Sequence, residues 1–301
     1  MQEKSPQQVF DRLALRRNRA RFEGAFAQHG ALFRESAEGL LERLSWIQRP
    51  FPTVLDLGSR DTFLRDELLR ADPTRTIIRA GLNGGEGAVM ADEEFLPFGE
   101  NSFDLILSNL SLHWVNDVPG ALIQARRALK PDGFFLAALL GGETLHELRT
   151  SLYEAENEIR GGISPRVGPF MDARDGASLL QRAGFTLPVV ATEKLTFSYP
   201  DIFALMNELR AMGESNAARA KDKRFAPREL FTRAGQIYQN RFATEGGIKA
   251  TFEIVILTGW AAHESQQKPL QPGEATQSLA EALHSVEMPT DDAAAPNRRA
   301  G

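Results

Sequence analysis

The stretch VLDLGSRDTFL, residues 54–64, decides the fold. Its apolar first half is typical of a buried strand that ends at Gly58, and the residues after it place Leu64 and Leu68 on one face of a helix. A strand that enters a helix through a glycine turn is typical of a nucleotide-type cofactor site, because glycine lets a ligand approach the main chain. A phosphate-binding loop needs several small residues, whereas residues 59–62 are Ser, Arg, Asp and Thr. A nicotinamide dinucleotide is therefore disfavoured.

Strands and helices alternate beyond this stretch. The segment VPGALIQARRALKPDG is a predicted helix that ends at Lys130, before Pro131. Apolar runs predict strands at 75–82, 87–92, 102–110 and 134–140. Alternation at this spacing predicts an α/β fold whose parallel strands form a doubly wound, Rossmann-like sheet.

The later part of the chain has a different pattern. Two β-rich segments, 189–199 and 248–261, are separated by predicted helices at 201–213 and 226–242, and a further helix at 173–185 is closed by a glycine. Two strands that are distant in sequence and separated by helices predict an edge pair of strands with an antiparallel strand and a helical insertion. We place the insertion at about 142–185 and 200–245, within a domain that spans residues 46–262.

Composition excludes several classes of protein. The chain has 301 residues and a net charge of -5, so it lacks the basic footprint that nucleic-acid binding requires. It has no cysteine and only five histidines, none closely spaced, so no metal site is expected. The longest apolar run, 134–140, is far shorter than the ~20 residues that cross a bilayer, and no transmembrane segment is expected.

Residues 1–45 form a predicted N-terminal helical segment. Val9 and Leu13, and then Phe22 and Phe26, are spaced by four, which predicts a thin buried stripe with the arginines in water. The alternative is a surface for a partner or substrate made by Arg12, Arg16, Arg17, Arg19 and Arg21. The segment has neither the apolar core of a secretory signal nor the acid-poor composition of a transit peptide. We therefore expect the cytoplasm of a bacterium, with contact at the inner face of the membrane left open.

The last segment, residues 263–301, is polar and is predicted to be disordered. Within it, residues 278–286 have the pattern of a short docking helix.

Polar residues follow the predicted parallel strands, where ligands of doubly wound sheets bind. Asp56 and Gly58 end the first strand, Asn83 follows the second, Asp92 follows the third and Asn109 ends the fourth. The end of the second strand usually carries an acid that accepts hydrogen bonds from ribose hydroxyls. A carboxylate after the third strand suits the exocyclic amine of a base. Each residue alone could equally be a cap or turn residue, but together they indicate one crevice.

These residues carry a family resemblance. VLDLGSRDT, followed by ADEEFLPF, SFDLILSNL, SLHW and the turn KPDG, resembles the class I S-adenosylmethionine-dependent methyltransferases over residues 53–149. VFDRLALRRNRAR, LMNELRAMGESNA and ATFEIVILTGWA are similar to one branch of that family, the methyltransferase-like assembly factors of respiratory complex I that hydroxylate arginine. That resemblance covers most of residues 9–262. The malonyl-acyl-carrier-protein O-methyltransferases are similar through the core, and these three segments fit them less well.

The resemblance implies a seven-stranded sheet and S-adenosylmethionine as cofactor. It implies that Asp56 and Gly58 lie near the methionine half, Asp92 and Glu93 near the adenine, and Asn109 along the cofactor. The chain departs from the family pattern at Arg60 and Thr62, which replace the later glycines, and at Asn83, which replaces the ribose acid. A guanidinium is unfavourable beside a sulfonium, so we expect Arg60 to turn outward or to pair with Asp61 or with the cofactor carboxylate.

Residue type suggests one general base. His113 is the candidate because imidazole titrates near neutral pH, and the alternative is a structural histidine held beside Trp114. Candidate substrate-binding residues, which could equally be helix surface and cap residues, are Trp114, Tyr199, Arg210, Glu214 and Asn216.

Three functions are consistent with the sequence. The first is an enzyme of the methyltransferase family that modifies a protein substrate, by resemblance an arginine of a complex I subunit, through hydroxylation or methylation. The second is an O-methyltransferase of a carrier-bound or small carboxylic acid. The third is a non-catalytic assembly chaperone whose cofactor site is degenerate.

Overall fold

A computed structural model describes residues 8–85, 87–222 and 224–266. Most of the predicted tail, including the docking helix predicted at 278–286, lies outside these residues. None of the helices in the described ranges is both long and apolar enough to span a bilayer.

One mixed sheet forms the centre of the described chain. Its strands lie in the order β3-β2-β1-β4-β5-β8-β6. The first five in this order are parallel to one another, whereas β8 is antiparallel to both β5 and β6. The strands are β1 Thr53–Leu57, β2 Thr76–Gly81, β3 Ala88–Met90, β4 Phe103–Asn109, β5 Leu129–Leu140, β6 Phe185–Tyr199, the two-residue β7 Ala243–Thr244, and β8 Gly247–Ala261. The predicted α/β fold with an antiparallel pair at one edge is confirmed.

Helices cover both faces of the sheet. The three helices before β1 are α1 Arg12–Arg21, α2 Glu23–His29 and α3 Ala31–Ser45. The others are α4 Phe63–Ala71, α5 Val118–Ala128, α6 His146–Arg160, α7 Ala173–Arg182, α8 Ile202–Ala211 and α9 Arg228–Phe242. Thus α6 and α7 separate β5 from β6, and α8 and α9 separate β6 from β8.

The predicted end of the helix at Lys130 is wrong. Helix α5 ends at Ala128, and β5 begins at Leu129, which pairs with Phe103 of β4. Pro131 explains the difference, because a proline disfavours the helical conformation at the residue before it. Lys130 is therefore part of the strand, and its Nζ donates to Asp104 Oδ2 at 2.8 Å.

The apolar stripe predicted for the N-terminal segment is also partly wrong. Leu13 is 67% exposed, whereas Leu15 is fully buried, in a small cluster with Phe10, Leu82 and Trp114. This cluster packs α1 over the carboxyl ends of the strands. The expectation that the arginines of α1 lie in water fails for Arg19, which is 2% exposed.

Two apolar layers, one on each face of the sheet, make up the core. Alternate residues of β4 show the division, since Leu105 and Leu107 belong to one layer and Ile106 to the other. Burial on both faces explains the contiguous apolar run that the sequence shows here. Because β1 to β5 are parallel, the polar residues at their carboxyl ends lie together at one end of the sheet.

Candidate active site

The turn after β1 is fixed by close packing. Gly58 has φ +78°, and its amide donates to Ala80 O of β2 at 2.7 Å. A Cβ at this position would lie 2.2 Å from Ser111 Cβ. Only glycine fits both the conformation and the space, so the turn stays close to β2 and to the residues after β4.

Asp56 ends β1 in a buried position. Its Oδ2 accepts a hydrogen bond of 2.7 Å from Ser59 Oγ. Burial raises the pKa of Asp56 to about 6, against the opposing effects of Ser59 and Arg79. The carboxyl is therefore close to half-protonated near pH 6 in the described protein.

Asn109 ends β4 and is held by α3. Its Oδ1 accepts from Ser36 Oγ at 2.7 Å, and its Nδ2 donates to Phe33 O at 2.8 Å. Asn109 and Asp56 both border a void of about 20 Å³. The structure thus brings these two predicted cofactor residues together.

Asn83 and Asp92 border two neighbouring spaces. Asn83 follows β2 beside a void of about 20 Å³, and its buried Oδ1 has no hydrogen-bond partner among the described residues. Asp92 follows β3 at the edge of a slot of about 160 Å³, whose walls include Leu82 and Ala91. The slot is also lined by Arg12 and Arg16. Its apolar walls, the carboxylate at its edge and the neighbouring unpartnered Oδ1 of Asn83 are groups that a purine and a ribose need.

A guanidinium from α1 reaches both predicted adenine-side acids. Arg12 Nη2 donates to Asp92 Oδ1 at 2.6 Å and forms a shorter ion pair with Glu93, whose side chain has no exposure. Ser111 Oγ donates to the other carboxylate oxygen of Glu93. Arg12 Nη1 also donates to Trp114 O at 3.3 Å, so this arginine ties α1 to β3 and β4.

Arg60 points inward, contrary to the expectation that it turns outward or pairs with Asp61. Its Nη1 lies 3.2 Å from Glu214 Oε1, and its Nη2 donates to Met212 O at 2.9 Å. The guanidinium also lies over the ring of Phe26, 4.4 Å from its centroid. Burial and the neighbouring Arg19 lower the pKa of Arg60 to about 9. Arg60 points inward because it pairs with the buried carboxylate of Glu214. Glu214 is distant in sequence, so the residues around position 60 do not predict this contact.

Glu214 is the centre of a buried polar cluster. One oxygen pairs with Arg19 Nη2 and Arg60 Nη1, each at 3.2 Å, and the other accepts from Trp114 Nε1. Burial alone would raise the pKa of Glu214, but Arg19, His113 and Arg60 together lower it to about 2. The carboxylate is therefore charged at physiological pH.

His113 lies 3.4 Å from Glu214 through its Nε2 and packs against the rings of Trp114 and Phe170. Burial lowers the pKa of His113, with Glu214 acting in the opposite direction. Its Nδ1 has no partner among the described residues. A neutral imidazole in this position could accept or donate one proton at Nδ1.

A cavity of about 300 Å³ lies on the other side of Glu214. Its walls are mostly apolar and come from α6, α8, β8 and the loop around Phe170. Four of the five predicted substrate residues line it, namely Trp114, Arg210, Glu214 and Asn216. Tyr199 is not among the lining residues. It ends β6 with its side chain packed against the core, and burial raises its pKa to about 12.

The sequence analysis did not assign a specific contact in the site to three residues that the structure places there. Arg12, Arg19 and Ser111 link the cofactor-side acids to Glu214, with Arg19 Nη1 3.4 Å from Ser111 Oγ. A signal was present, because Arg12 and Arg19 are seven positions apart and therefore lie on one face of a helix, two turns apart.

The donor set of the crevice fits an adenosyl cofactor chemically. Asn83 offers an unpartnered acceptor, Asp92 edges an apolar slot, and Gly58 keeps the main chain close. The two small voids share Phe26 of α2 and Arg60 as lining residues, and Arg12 of α1 pairs with Asp92. A ligand that runs from Asp56 to Asp92 would therefore displace these side chains.

Comparison with known proteins shows the family of this chain. A family model described as "Methyltransferase domain" matches residues 65–137. The human protein named "Arginine-hydroxylase NDUFAF5, mitochondrial" is 42% identical over 261 residues, which are 82% of this chain and 74% of the human one. A malonyl-[acyl-carrier protein] O-methyltransferase of Halorhodospira halophila is 31% identical over 282 residues, which are 89% of this chain and 94% of that protein.

A crystal structure of a methyltransferase-like protein from Bacillus halodurans has the same fold, with a TM-score of 0.50 at 14% identity, and covers 75% of this chain and 99% of its own. The chain belongs to the class I S-adenosylmethionine-dependent methyltransferase family. Within that family, its similarity to the human arginine hydroxylase is higher than its similarity to the malonyl-carrier O-methyltransferase.

Proposed function

We propose that this protein binds S-adenosylmethionine in the crevice at the strand ends and modifies an arginine side chain of a protein substrate during assembly of respiratory complex I. One observation carries the proposal: Glu214 contacts the crevice residues Arg19 and Arg60 and also lines the 300 Å³ cavity. A substrate group in the cavity would thus lie beside the methionine half of the cofactor.

The cavity suits an arginine side chain. An arginine packs its aliphatic stem against apolar surface while its head seeks a carboxylate. Leu148, Leu152 and Phe252 provide the apolar wall, and Glu214 provides a charged carboxylate, which in the present structure also pairs with Arg19 and Arg60.

Several residues of this chain would hold the cofactor. Asp56 would accept from the ammonium group, Asn83 from a ribose hydroxyl, and Asp92 from the adenine amine once Arg12 shifts. Gly58 keeps the main chain close. When bound, S-adenosylmethionine supplies an electrophilic methyl group next to a sulfonium charge. The relatives named as arginine hydroxylases favour hydroxylation as the modification in this protein. Hydroxylation inserts one oxygen atom and would need an external oxidant such as dioxygen with a two-electron reductant, whereas methylation would use the methyl group of the cofactor itself.

Two measurements test the proposal. Calorimetry of the purified protein with S-adenosylmethionine should show binding, and absence of heat at millimolar ligand would support the non-catalytic chaperone instead. Intact mass of complex I subunits from cells with and without this protein should show the gain of one oxygen on a subunit. A gain of one methyl group would identify the reaction as methylation instead, and unchanged masses would contradict arginine modification.

A variant links the mass measurement to the site. Cells that carry Glu214→Gln should lose the mass gain, because a neutral amide cannot pair with a guanidinium as a carboxylate does. Glu208→Gln is the matched control, since Glu208 lies on α8 and does not line the cavity. Retention of the modification in Glu214→Gln would mean that the substrate does not reach Glu214.

A further inference from the structure

The end of α6 with the loop after it (residues 160–169) and the loop before α9 (residues 219–222 and 224–227) contribute to the wall of the 300 Å³ cavity, and we call these residues the rim. Residues 165–168 of the first loop and Lys221 and Asp222 of the second line the cavity itself. A polypeptide that places one side chain in the cavity must therefore cross the rim with its neighbouring residues.

The rim exposes two large apolar side chains. Phe225 is 93% exposed, which is the highest value for a large apolar side chain in the described part of the chain, and Ile163 is 64% exposed. Exposed aromatic residues beside a cavity are the residues that most often anchor a partner protein.

Partly buried ion pairs connect the residues of the rim. Arg160 donates to Asp222 Oδ2 at 2.8 Å and to Phe225 O at 2.9 Å, which joins the two loops. Glu156 of α6 is 2% exposed and accepts from Ser164 N at 2.9 Å and from Arg166. Phe225 is thus presented by a fixed frame, and a fixed frame lowers the entropy cost of binding.

The rim is basic although the chain as a whole has a net charge of -5. Its described residues include five basic side chains, against the carboxylates of Asp222, which pairs with Arg160 and Arg224, and of the adjoining Glu156, which pairs with Arg166. The basic residues are Arg160, Arg166, Arg219, Lys221 and Arg224. Such an excess attracts acidic partners and orients them on approach.

We propose that the rim is the docking surface for an acidic segment of the protein substrate, with Phe225 as its apolar anchor and Lys221 and Arg224 as contacts for the flanking carboxylates. This inference rests on the proposed function, because it assumes that the cavity receives a side chain of a protein. A bilayer with anionic lipids would also attract basic groups. The position of the rim around a cavity of side-chain size favours a polypeptide.

Binding of two synthetic peptides tests the docking surface without any turnover. Each peptide contains one central arginine and one leucine, with glutamate in one and lysine in the other at the flanking positions. Fluorescence anisotropy should show that the glutamate peptide binds at least roughly tenfold more tightly. Equal affinity for both peptides would overturn the proposal.

Variants assign the effect to the rim. Phe225→Ala should weaken binding of the glutamate peptide by roughly tenfold, and Arg224→Glu should reduce the preference for it. Trp46→Ala is the matched aromatic control, because Trp46 is 66% exposed and lies after α3, near the amino end of β1. Arg70→Glu at the end of α4 is the matched charge control. Equal effects of rim and control variants would also overturn the proposal.

Two further outcomes are distinct. If vesicles that contain phosphatidylglycerol bind the wild type but not Phe225→Ala, and the peptides show no preference, the rim contacts membranes and the proposal fails. If the peptide preference holds while calorimetry detects no S-adenosylmethionine binding, the rim stands as a docking surface for an acidic polypeptide and the proposed enzymatic function fails.

Discussion

Arg12 of α1 and Glu93 after β3 form a buried ion pair across 81 positions of the sequence. The pair joins the first helix to the strand ends. It also engages Glu93, an acid that the family resemblance places near the cofactor. The N-terminal helices are therefore part of the site.

The variant Arg12→Ala should lower the free energy of unfolding by about 3 to 5 kcal/mol. Glu93 has no exposure, and removing its cationic partner leaves a buried charge that Ser111 alone does not compensate. Urea denaturation measures the change. Arg16→Ala serves as the control, because Arg16 lies exposed on the same helix and should cost less than about 0.5 kcal/mol. Similar losses in both variants would contradict the role assigned to the ion pair.

The buried carboxyl of Asp56 should make stability depend on pH. Its pKa rises from 3.8 to about 6 on folding, so the protonated form is favoured in the folded state. The associated stability is fully present below about pH 4 and is lost as pH rises through about 6, with a total of about 2 to 3 kcal/mol. Asp56→Asn should remove this loss and be more stable than the wild type at pH 7.

Urea unfolding of the wild type and Asp56→Asn over that pH range measures the difference. The exposed Asp175→Asn is the control, because it keeps Asp56 and should therefore lose stability with rising pH as the wild type does. Calorimetry should show that Asp56→Asn binds S-adenosylmethionine more weakly. A stability difference that does not vary with pH would mean that folding does not raise the pKa of Asp56.

The variant Asn83→Asp should bind S-adenosylmethionine about tenfold more tightly. A carboxylate accepts stronger hydrogen bonds from ribose hydroxyls than an amide oxygen does, by about 1 to 2 kcal/mol. The buried Oδ1 of Asn83 has no described partner that the change would break. Calorimetry measures the affinity, with Asn240→Asp on the exposed side of α9 as the charge-matched control. Unchanged affinity would place the ribose elsewhere.

Substitution of Gly58 by alanine should destabilise the protein by about 2 to 4 kcal/mol. The cost combines the positive φ with overlap of the new Cβ and Ser111 at 2.2 Å. Gly84→Ala separates the two effects, because Gly84 also has a positive φ but its nearest contact would be 3.5 Å. Thermal unfolding should therefore show a loss of only about 1 kcal/mol for Gly84→Ala. Equal losses would show that the overlap is relieved.

The sequence predicted the sheet well because its signals are local. Apolar runs with glycine or proline boundaries marked the strands within a few residues, as for β1 and β4. The boundary between α5 and β5 was missed, because the pairing of Leu129 with Phe103 involves a strand that is distant in sequence.

The candidate site was predictable only in part. Residues at strand ends converge by topology, so Asp56 and Asn109 could be grouped in advance. The docking of α1 depends on ion pairs with residues that are distant in sequence, so the burial of Arg19 and the inward position of Arg60 could not be inferred from charge alone. Glu214 was named as a substrate residue, but its contact with both arginines required the folded structure.

The position of β8 has a consequence for synthesis of the chain. The last described strand lies between β5 and β6, and Trp260 pairs with Phe134. Until residue 261 has left the ribosome, both neighbours expose unpaired backbone groups along their length. A nascent chain therefore exposes two open edges until β8 has emerged, and termination before β8 would yield a form prone to self-association rather than a smaller folded protein.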